Sequence, residues 1–393
     1  MNYIDALNLL FSKGKVVEKT EYIHINASLN RVLANDVYAC KDLPCFDNSA
    51  LDGYAFNYGD KDDALSISKT IIFAGDTKTY SANKNEAIRI MTGAIMPKNT
   101  DTIVRLEDAI IKDNKLFIDK KTKKHNALRY KGEEIKSGEI LLKKGTKITP
   151  SQIMFLSSQG ISEILVNSKP SIGVFSSGDE LVEIWQNASD EQIYNVNATA
   201  IKSLLAYYGF KSSYKGIIKD TLEDTKKAFL SNLSYDILVC SGGASKGDKD
   251  FMKEALKSLG YEEIFDRINL KPGAPIKVFI KEDKFVFILP GNPMAAFFTC
   301  FLTLIPTLKK MSGDISFNHQ IYKTIISKEV KLKKGRTNII LGFYDGKTFT
   351  PYLENYGSGM IKPLIQNNAI YLSNENDEII SNYNEIEVIK YSL

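Results

Sequence analysis

Cysteine and histidine are scarce in this 393-residue chain. The four cysteines, Cys40, Cys45, Cys240 and Cys300, form no CxxC pair, and His24, His125 and His319 are scattered, so no zinc cluster is visible. Thiols without a pairing pattern suit a reducing cytoplasm. A charge excess is also missing: 51 Lys and Arg stand against 47 Asp and Glu, net +4, which excludes a general nucleic-acid binder and makes any positive site local. The longest uncharged apolar run, Met294 to Pro306, is too short for a bilayer, and no basic segment leads into an apolar one at the amino terminus. A cytoplasmic protein with no membrane contact is expected. No nucleophile stands beside a base in local spacing, and the glycine-rich loops match neither Walker A nor GxGxxG, so covalent catalysis is not indicated. What remains is 44% hydrophobic and 25% charged, enough for two to four soluble domains.

The most informative segment present is SGGASKGDKD, Ser241 to Asp250, set between the apolar run Ile237 to Cys240 and the helix-like stretch Phe251 to Leu259. It reads as a polar loop at the carboxyl end of a buried strand, where ligands of open α/β sheets collect. Gly242, Gly243 and Gly247 let backbone N–H groups approach an anion, and Asp248 and Asp250 suit a hard cation, so phosphate with Mg²⁺ is the first expectation.

Around this loop, strand and helix patterns alternate: Ile172 to Phe175, Ala198 to Tyr208, Ile217-Ile218, Leu222 to Leu230, Ile237 to Cys240, Phe251 to Leu259 and Phe285 to Leu289. That order predicts a doubly wound α/β domain beyond Pro170. Ile201, Leu204, Leu205 and Tyr208 mark one helix face, and Gly209 stands at the C-cap position. Pro290 to Pro293 predicts a tight turn into the apolar helix from Met294. At the start, Ile4, Leu7 and Phe11 followed by Gly14 predict a short amphipathic helix. Between Cys45 and Ile135 the punctuation is dense and the apolar runs short, which predicts a β-rich segment with a solvated turn at Lys120 to Lys124. After Gly313, short alternating runs predict a small all-β domain.

Four loops share one layout, a strand followed by small and acidic residues: Ser176 to Glu180, Lys219 to Thr221, the Ser241 loop and Leu289 to Pro293. All should emerge on one edge of a parallel sheet. Any one of them, Asp220 included, can equally be a helix N-cap; the convergence of Asp179, Glu180, Asp220, Asp248 and Asp250 favours a metal–phosphate site. Lys271, before Pro272-Gly273, and Lys277 can counter an oxyanion or lie exposed in a turn. FDNSALDGYA, from Phe46, suggests a ligand-facing loop, with an Asx-turn hairpin as the alternative.

Taken together, FDNSALDGYA, RIMTGAIMP from Arg89, YKGEEI from Tyr130, GTKITPSQI from Gly145, FSSGDEL from Phe175, the Ser241 loop, LKPGAP from Leu270 and LPGNP from Leu289 resemble the molybdopterin molybdenumtransferase family, which includes the carboxyl-terminal domain of gephyrin. The resemblance implies insertion of molybdenum from molybdate into adenylylated molybdopterin with release of AMP, in molybdenum cofactor biosynthesis. It implies an elongated homodimer, with the adenylyltransferase of the preceding step and acceptor molybdoenzymes as further partners. Four domains follow: residues 1–19 with 171–316 as the molybdopterin-nucleotide-binding α/β domain, 20–44 with 136–170 as a β-containing linker body, 45–135 as a β-rich lid, and 317–393 as a small β-barrel-like domain. The lid's FDNSALDGYA loop would reach the partner subunit's site.

By position, the resemblance makes Asp220 and Asp250 the Mg²⁺ carboxylates. Asp52, Thr92, Glu180 and Lys271 become catalytic positions. Ser177, Gly178, Asp179, Gly242, Gly243, Ser245, Pro275, Pro290, Gly291 and Asn292 become binding positions, with Arg336 and Ser358 approaching the molybdate pocket from the last domain. Three residues depart from the family's usual choice: Ala274 for Lys, Ala295 for Ser and Asn195 for Asp. Each lost charge-assisted contact is worth about 1.5–3 kcal/mol, so weaker molybdate binding is expected unless Lys277 or Arg336 takes the place of the missing lysine. On an extended strand, Lys277 would point away from the Ala274 side. A stand-alone adenylyltransferase shares the α/β domain but not the long amino-terminal half and β tail. A pterin-holding scaffold with little turnover is the reading that Ala274 and Ala295 favour.

Overall fold

The structure, a computed structural model, describes residues 1–244 and 251–392. At its centre is a six-stranded sheet. Strands Ser213–Ile218, Ile172–Ser177, Ile237–Ser241 and Lys284–Leu289 run parallel, in that spatial order, and the antiparallel pair Lys277–Lys281 and Glu262–Phe265 completes one edge. The sequence pattern did not separate that last pair, because Lys277, Lys281 and Lys284 break the apolar run. The three inner parallel strands are buried on both faces, as helices on each side require, and two of them read Ile-Leu-Val-Cys and Phe-Val-Phe-Ile-Leu with no alternation, whereas the edge strand Ser213–Ile218 is largely exposed or half-buried. One face is covered by helices Leu222–Leu230 and Phe251–Ser258. The other is covered by Val196–Tyr207 and the apolar segment after Pro293. Ile201, Leu204 and Leu205 lie on the sheet as their spacing predicts, and Gly209 follows with φ +80.

The opening helix, Tyr3–Lys13, joins this core through Tyr3, Ala6 and Leu10. The buried stripe is therefore displaced from the Ile4, Leu7, Phe11 pattern: Ile4 is exposed, because the neighbouring helix reaches it from the Tyr3 side.

From Pro293 to Met311 the chain is continuously helical over 19 residues with mean hydropathy 1.3, long and apolar enough to cross a membrane by length and composition alone. This exceeds the run expected from sequence, since the helix continues through Lys309 and Lys310. Its apolar window is 83% buried in the protein, which makes it a core helix of the α/β domain. Pro306 explains its internal irregularity. Proline has no N–H for the Leu302 carbonyl, and the helix widens to a π-turn over Cys300–Leu304, where Ile305 N–H bonds to the Cys300 carbonyl. Two carbonyls are released and both are satisfied: Tyr3 Oη donates to Leu302 O at 3.2 Å, and His319 Nε2 donates to Phe301 O at 2.8 Å.

Burial holds the His319 imidazole at a pKa of about 4, with the Lys309 charge acting in the same direction. Because the folded value lies below the unfolded one near 6.5, the unfolded chain takes up the proton first, and stability is lost as pH falls from about 6.5 toward 4. The loss from this group is about 2–3 kcal/mol. Denaturant midpoints at pH 7 and pH 4.5 should therefore separate more in the natural protein than in His319→Gln; equal separations would remove the assignment.

Residues 20–44 and 136–170 supply short antiparallel pairs, Thr20–His24 with Glu163–Asn167 and Val37–Tyr38 with Ile140–Leu142, packed with helix Pro150–Ser158 around Leu33, Ile148, Leu156 and Val166. Residues 53–117 build a second six-stranded sheet, and Lys120 to Lys124 fall in an irregular turn region. The last six-stranded sheet closes on itself, since Thr337–Tyr344 pairs with both Thr348–Pro351 and Ala369–Leu372. One of its strands is not from the carboxyl terminus: Leu270–Lys271 pairs in parallel with Thr337-Asn338. This two-residue strand ties the barrel to the α/β sheet and carries Lys271 with it.

Candidate active site

The described parts of the four loops predicted to converge do so at the carboxyl ends of the parallel strands. Ser177, ending one strand, donates from Oγ to Asp220 Oδ1 at 2.7 Å, and Asp220 N–H donates to Asp179 Oδ1 at 3.1 Å, so two loops are locked together. Ser241 Oγ donates to Pro290 O at 3.1 Å, and Gly242 N–H to Leu289 O, which locks the other two. Asn197, on the first turn of helix Val196–Tyr207, binds both: Nδ2 reaches Ser241 Oγ and Gly291 O, each at 2.7 Å. Gly242 is required here. A Cβ on it would lie 2.2 Å from the Ser177 carbonyl oxygen, and its φ of +104 is one that L side chains rarely adopt.

Above these loops lies a cavity of about 420 Å³, lined by Ser177, Glu180, Leu181, Ile193, Tyr194, Asn195, Val196, Asn197, Ser241, Ala244, Pro275, Gly291 and their neighbours. Its described lining is partly apolar and holds one carboxylate and no cation. A second cavity of about 350 Å³ shares Pro275, Pro290 and Asn292 with the first. It has the opposite character: Arg267, Lys271 and Arg336 line it, with no acidic residue among the described lining. Lys271 stands at the edge of the barrel, next to the strand that follows Arg336, because Lys271 is in register with Asn338. Arg336 Nε donates to Asn338 Oδ1 at 3.3 Å. Ser358 closes the same wall, its Oγ accepting from Asn292 Nδ2 at 3.0 Å and its carbonyl from Met294 N–H.

One cleft thus has an apolar and acidic half joined to a cationic half. The first can hold a heterocycle and, through a divalent cation, a phosphate; the second can hold a compact oxyanion.

Comparison with known proteins places the chain in a family. Residues 1–160 match the MoeA N-terminal region (domains I and II), and residues 173–310 match a probable molybdopterin binding domain. Over 348 residues the chain is 32% identical to the molybdopterin molybdenumtransferase of Haemophilus influenzae, covering 86% of each chain. The Staphylococcus aureus protein of the same name is 32% identical over 314 residues, covering 78% of this chain and 75% of its own. The chain belongs to the molybdopterin molybdenumtransferase family. A crystal structure of the molybdopterin biosynthesis MoeA protein from Pyrococcus horikoshii superposes along 100% of this chain and 99% of its own, with a TM-score of 0.80 at 27% identity.

Against the residues that the resemblance to this family singled out, the cleft gathers Ser177, Glu180, Pro275, Pro290, Gly291, Asn292, Lys271, Arg336 and Ser358. Gly178, Asp179, Asp220, Gly242 and Gly243 lie in the supporting loops. Ser245, Asp248 and Asp250 lie outside the described residues. Among the described residues no group of three or more His, Cys, Asp or Glu is placed for a metal ion.

Asp52 and Thr92 do not line the cleft. They meet each other beside the sheet built by residues 53–117, where Asp52 Oδ1 accepts from both the N–H and the hydroxyl of Thr92 at 2.7 Å, and these bonds hold the Asp52 carboxyl below its usual range. Asp47 is likewise engaged, accepting from Lys131 N–H at 2.7 Å. Gly53 is not a turn residue but opens the strand Gly53–Phe56, where a Cβ would sit 2.1 Å from the Val104 carbonyl.

One of the three departures, Asn195, has a structural account in its own hydrogen bonds. Asn195 is 2% exposed and bonded at both amide atoms: Oδ1 accepts from Ser176 Oγ at 2.7 Å and caps Ala198 N–H, while Nδ2 donates to Tyr214 Oη, which donates to Glu183 at 2.6 Å. A carboxylate here would set two acceptors against one phenolic proton. Asn195→Asp should cost about 1–3 kcal/mol in urea unfolding, and an unchanged midpoint would refute the relay. Ala274 lies in the turn before the strand, not on it; Ile276 N–H bonds its carbonyl. Lys277 is 3% exposed and does not line the cationic cavity, so it does not fill the place of a lysine at 274. Ala295 lies on the same cavity with its carbonyl bonded by Thr299 Oγ1; nothing in the structure explains the missing hydroxyl.

Sequence reasoning passed over Asn197 and Arg267. Asn197 had a signal, an amide two residues after the Asn195 cap at a strand-end loop. Arg267 had none: it falls before LKPGAP and outside any motif.

Proposed function

We propose that this protein completes molybdenum cofactor by transferring molybdenum from molybdate to the dithiolene of adenylylated molybdopterin, with release of AMP. The observation that carries the reading is the pair of cavities, one apolar and carboxylate-bearing and one lined by three cations, that share Pro275, Pro290 and Asn292 in their walls. The family membership and the molybdenumtransferase relatives support it. The pterin nucleotide would occupy the first half, against Leu181, Ile193 and Tyr194, and molybdate the second, between Lys271 and Arg336.

Nucleotide phosphates beside Glu180, Asp179 and Asp220 need a bridging cation. The described donors are all hard oxygens, which fits Mg²⁺, with Asp220 as a ligand held in place by Ser177. When bound, such an ion would neutralise charge on the departing AMP. The residues of the chain do the rest: Lys271, Arg336 and Ser358 hold a tetrahedral dianion, and the rigid loops fix the pterin phosphate so that the sulfurs face it, which makes catalysis chiefly positioning and charge stabilisation. We also propose the four-domain division at 19/20, 44/45, 135/136, 170/171 and 316/317, and a cytoplasmic homodimer whose lid, with Asp52 and Thr92, completes the partner subunit's cleft. Acceptor molybdoenzymes and the preceding adenylyltransferase are its proposed contacts.

The test is reconstitution. Purified protein, adenylylated molybdopterin, Mg²⁺ and molybdate, added to a molybdoenzyme freed of cofactor, should restore its activity, and chelation of Mg²⁺ should suppress the effect. Recovery no greater than without the protein would refute the reading.

A further inference from the structure

The cationic half of the cleft contains one charge that neither the motifs nor the family resemblance assigned. Arg267 follows the edge strand Glu262–Phe265 and lines the cavity together with Lys271 and Arg336. Its position is fixed by its neighbours. Ile268 is fully buried, and its N–H donates to the Ala274 carbonyl at 3.1 Å; Asn269 N–H donates to Met1 O, and Asn269 O accepts from Thr337 N–H. Asn269 Nδ2 also bonds Gly335 O at 2.7 Å and Glu375 Oε1 at 2.9 Å. The backbone on which Arg267 sits is therefore pinned at once to the Lys271–Ala274 turn and to the barrel segment that carries Arg336.

Among the described residues no carboxylate is paired with Arg267. The adjacent Asp266 faces Lys253 instead, at 4.0 Å, and Lys253 in turn holds Glu263 at 2.7 Å. The remaining wall near the turn is short: Ala274 and Ala295 are the side chains there, and Gly273 packs so closely on Thr299 that a Cβ would approach its methyl to 2.7 Å. Arg267 thus shares the cavity wall with two alanines and a glycine and, among the described lining residues, with no anion.

We infer that Arg267 is a substrate-binding residue of this cleft, supplying with Lys271 and Arg336 the positive charge that holds a tetrahedral dianion of the molybdate class. The inference rests on the function proposed above for where molybdate binds. Guanidinium offers two parallel N–H donors to an oxyanion edge, and these take over the charge that a lysine at 274 would have provided.

Equilibrium binding of inorganic molybdate to the whole protein, by calorimetry, tests this beside the molybdate KM of turnover. Arg267→Ala should raise both Kd and KM by about tenfold or more, the loss of one charge-assisted contact, with kcat recovered at saturating molybdate. Arg267→Lys should fall between. Ala274→Lys added to Arg267→Ala should restore both constants to within a few-fold of the natural protein. Arg267 is exposed, and thermal melting of each variant checks that the fold is kept. If the natural protein turns over and Arg267→Ala has unchanged Kd and KM, the inference fails while the function stands. If molybdate binds in an Arg267-dependent way without turnover, the inference stands and the function fails. No molybdate binding and no turnover overturns both.

Discussion

Asp220→Asn should lower molybdate-dependent turnover by about 10²–10³-fold while the protein remains folded. The amide oxygen can still accept from Ser177 Oγ, so the bond that joins the two strand ends survives. What is lost is one negative charge among the oxygens facing the nucleotide phosphates, and with it the hold on a divalent cation. No described lining residue of that half supplies a cation of its own, so the phosphate would then meet Glu180 and Asp179 unscreened. The comparison is kcat at saturating Mg²⁺ beside the thermal midpoint. Activity within threefold of the natural protein would exclude Asp220 from the site, and a collapsed midpoint would show that the Ser177 bond, not the charge, is what matters.

Gly242→Val should abolish nucleotide binding, with affinity for AMP reduced about a hundredfold or more, and should destabilise the protein by about 1–3 kcal/mol. The obstruction is backbone against backbone: the added Cβ would stand 2.2 Å from the Ser177 carbonyl oxygen, which cannot swing aside without breaking the parallel pairing of Ile172–Ser177 with Ile237–Ser241. Displacing Gly242 also releases its N–H from Leu289 O and moves the Pro290 to Asn292 loop, to which Ser241 and Asn197 are bonded. Fluorescence or calorimetric titration with AMP measures the first effect and denaturant unfolding the second. Retained affinity would mean that the strand-end loops bend independently and that the cleft is not preorganised.

Much of this cleft was legible before the fold was known, because the parallel strands are marked by uninterrupted apolar runs and their loops by Gly, Ser and Asp. Strand direction alone then brings Ser177, Asp220, Ser241 and Pro290 to one edge. The cationic half was less legible, for a topological reason. Lys271 and Arg336 are 65 positions apart in sequence and meet only because a two-residue strand, Leu270–Lys271, leaves the α/β domain and pairs with the barrel. A strand so short has no periodicity to read. Parity along the chain was a poor guide at Lys277, since Ala274 is in a turn and the strand begins at Lys277. The opening helix was found but its buried face was misplaced, since its partner helix, not its own pattern, selects Tyr3 over Ile4. The roles of Tyr3 and His319 follow from Pro306, but only once the π-turn shows which carbonyls it releases.

The central claim is that the two halves of the cleft act on one reaction, with the nucleotide released because molybdate is bound beside it. The most direct measurement is AMP appearance in a single turnover of adenylylated molybdopterin as molybdate is varied. AMP should form with the protein and Mg²⁺ only when molybdate is present, at a rate that saturates with molybdate and falls in Asp220→Asn. AMP released at the same rate without molybdate, or no faster than in buffer, would contradict the account.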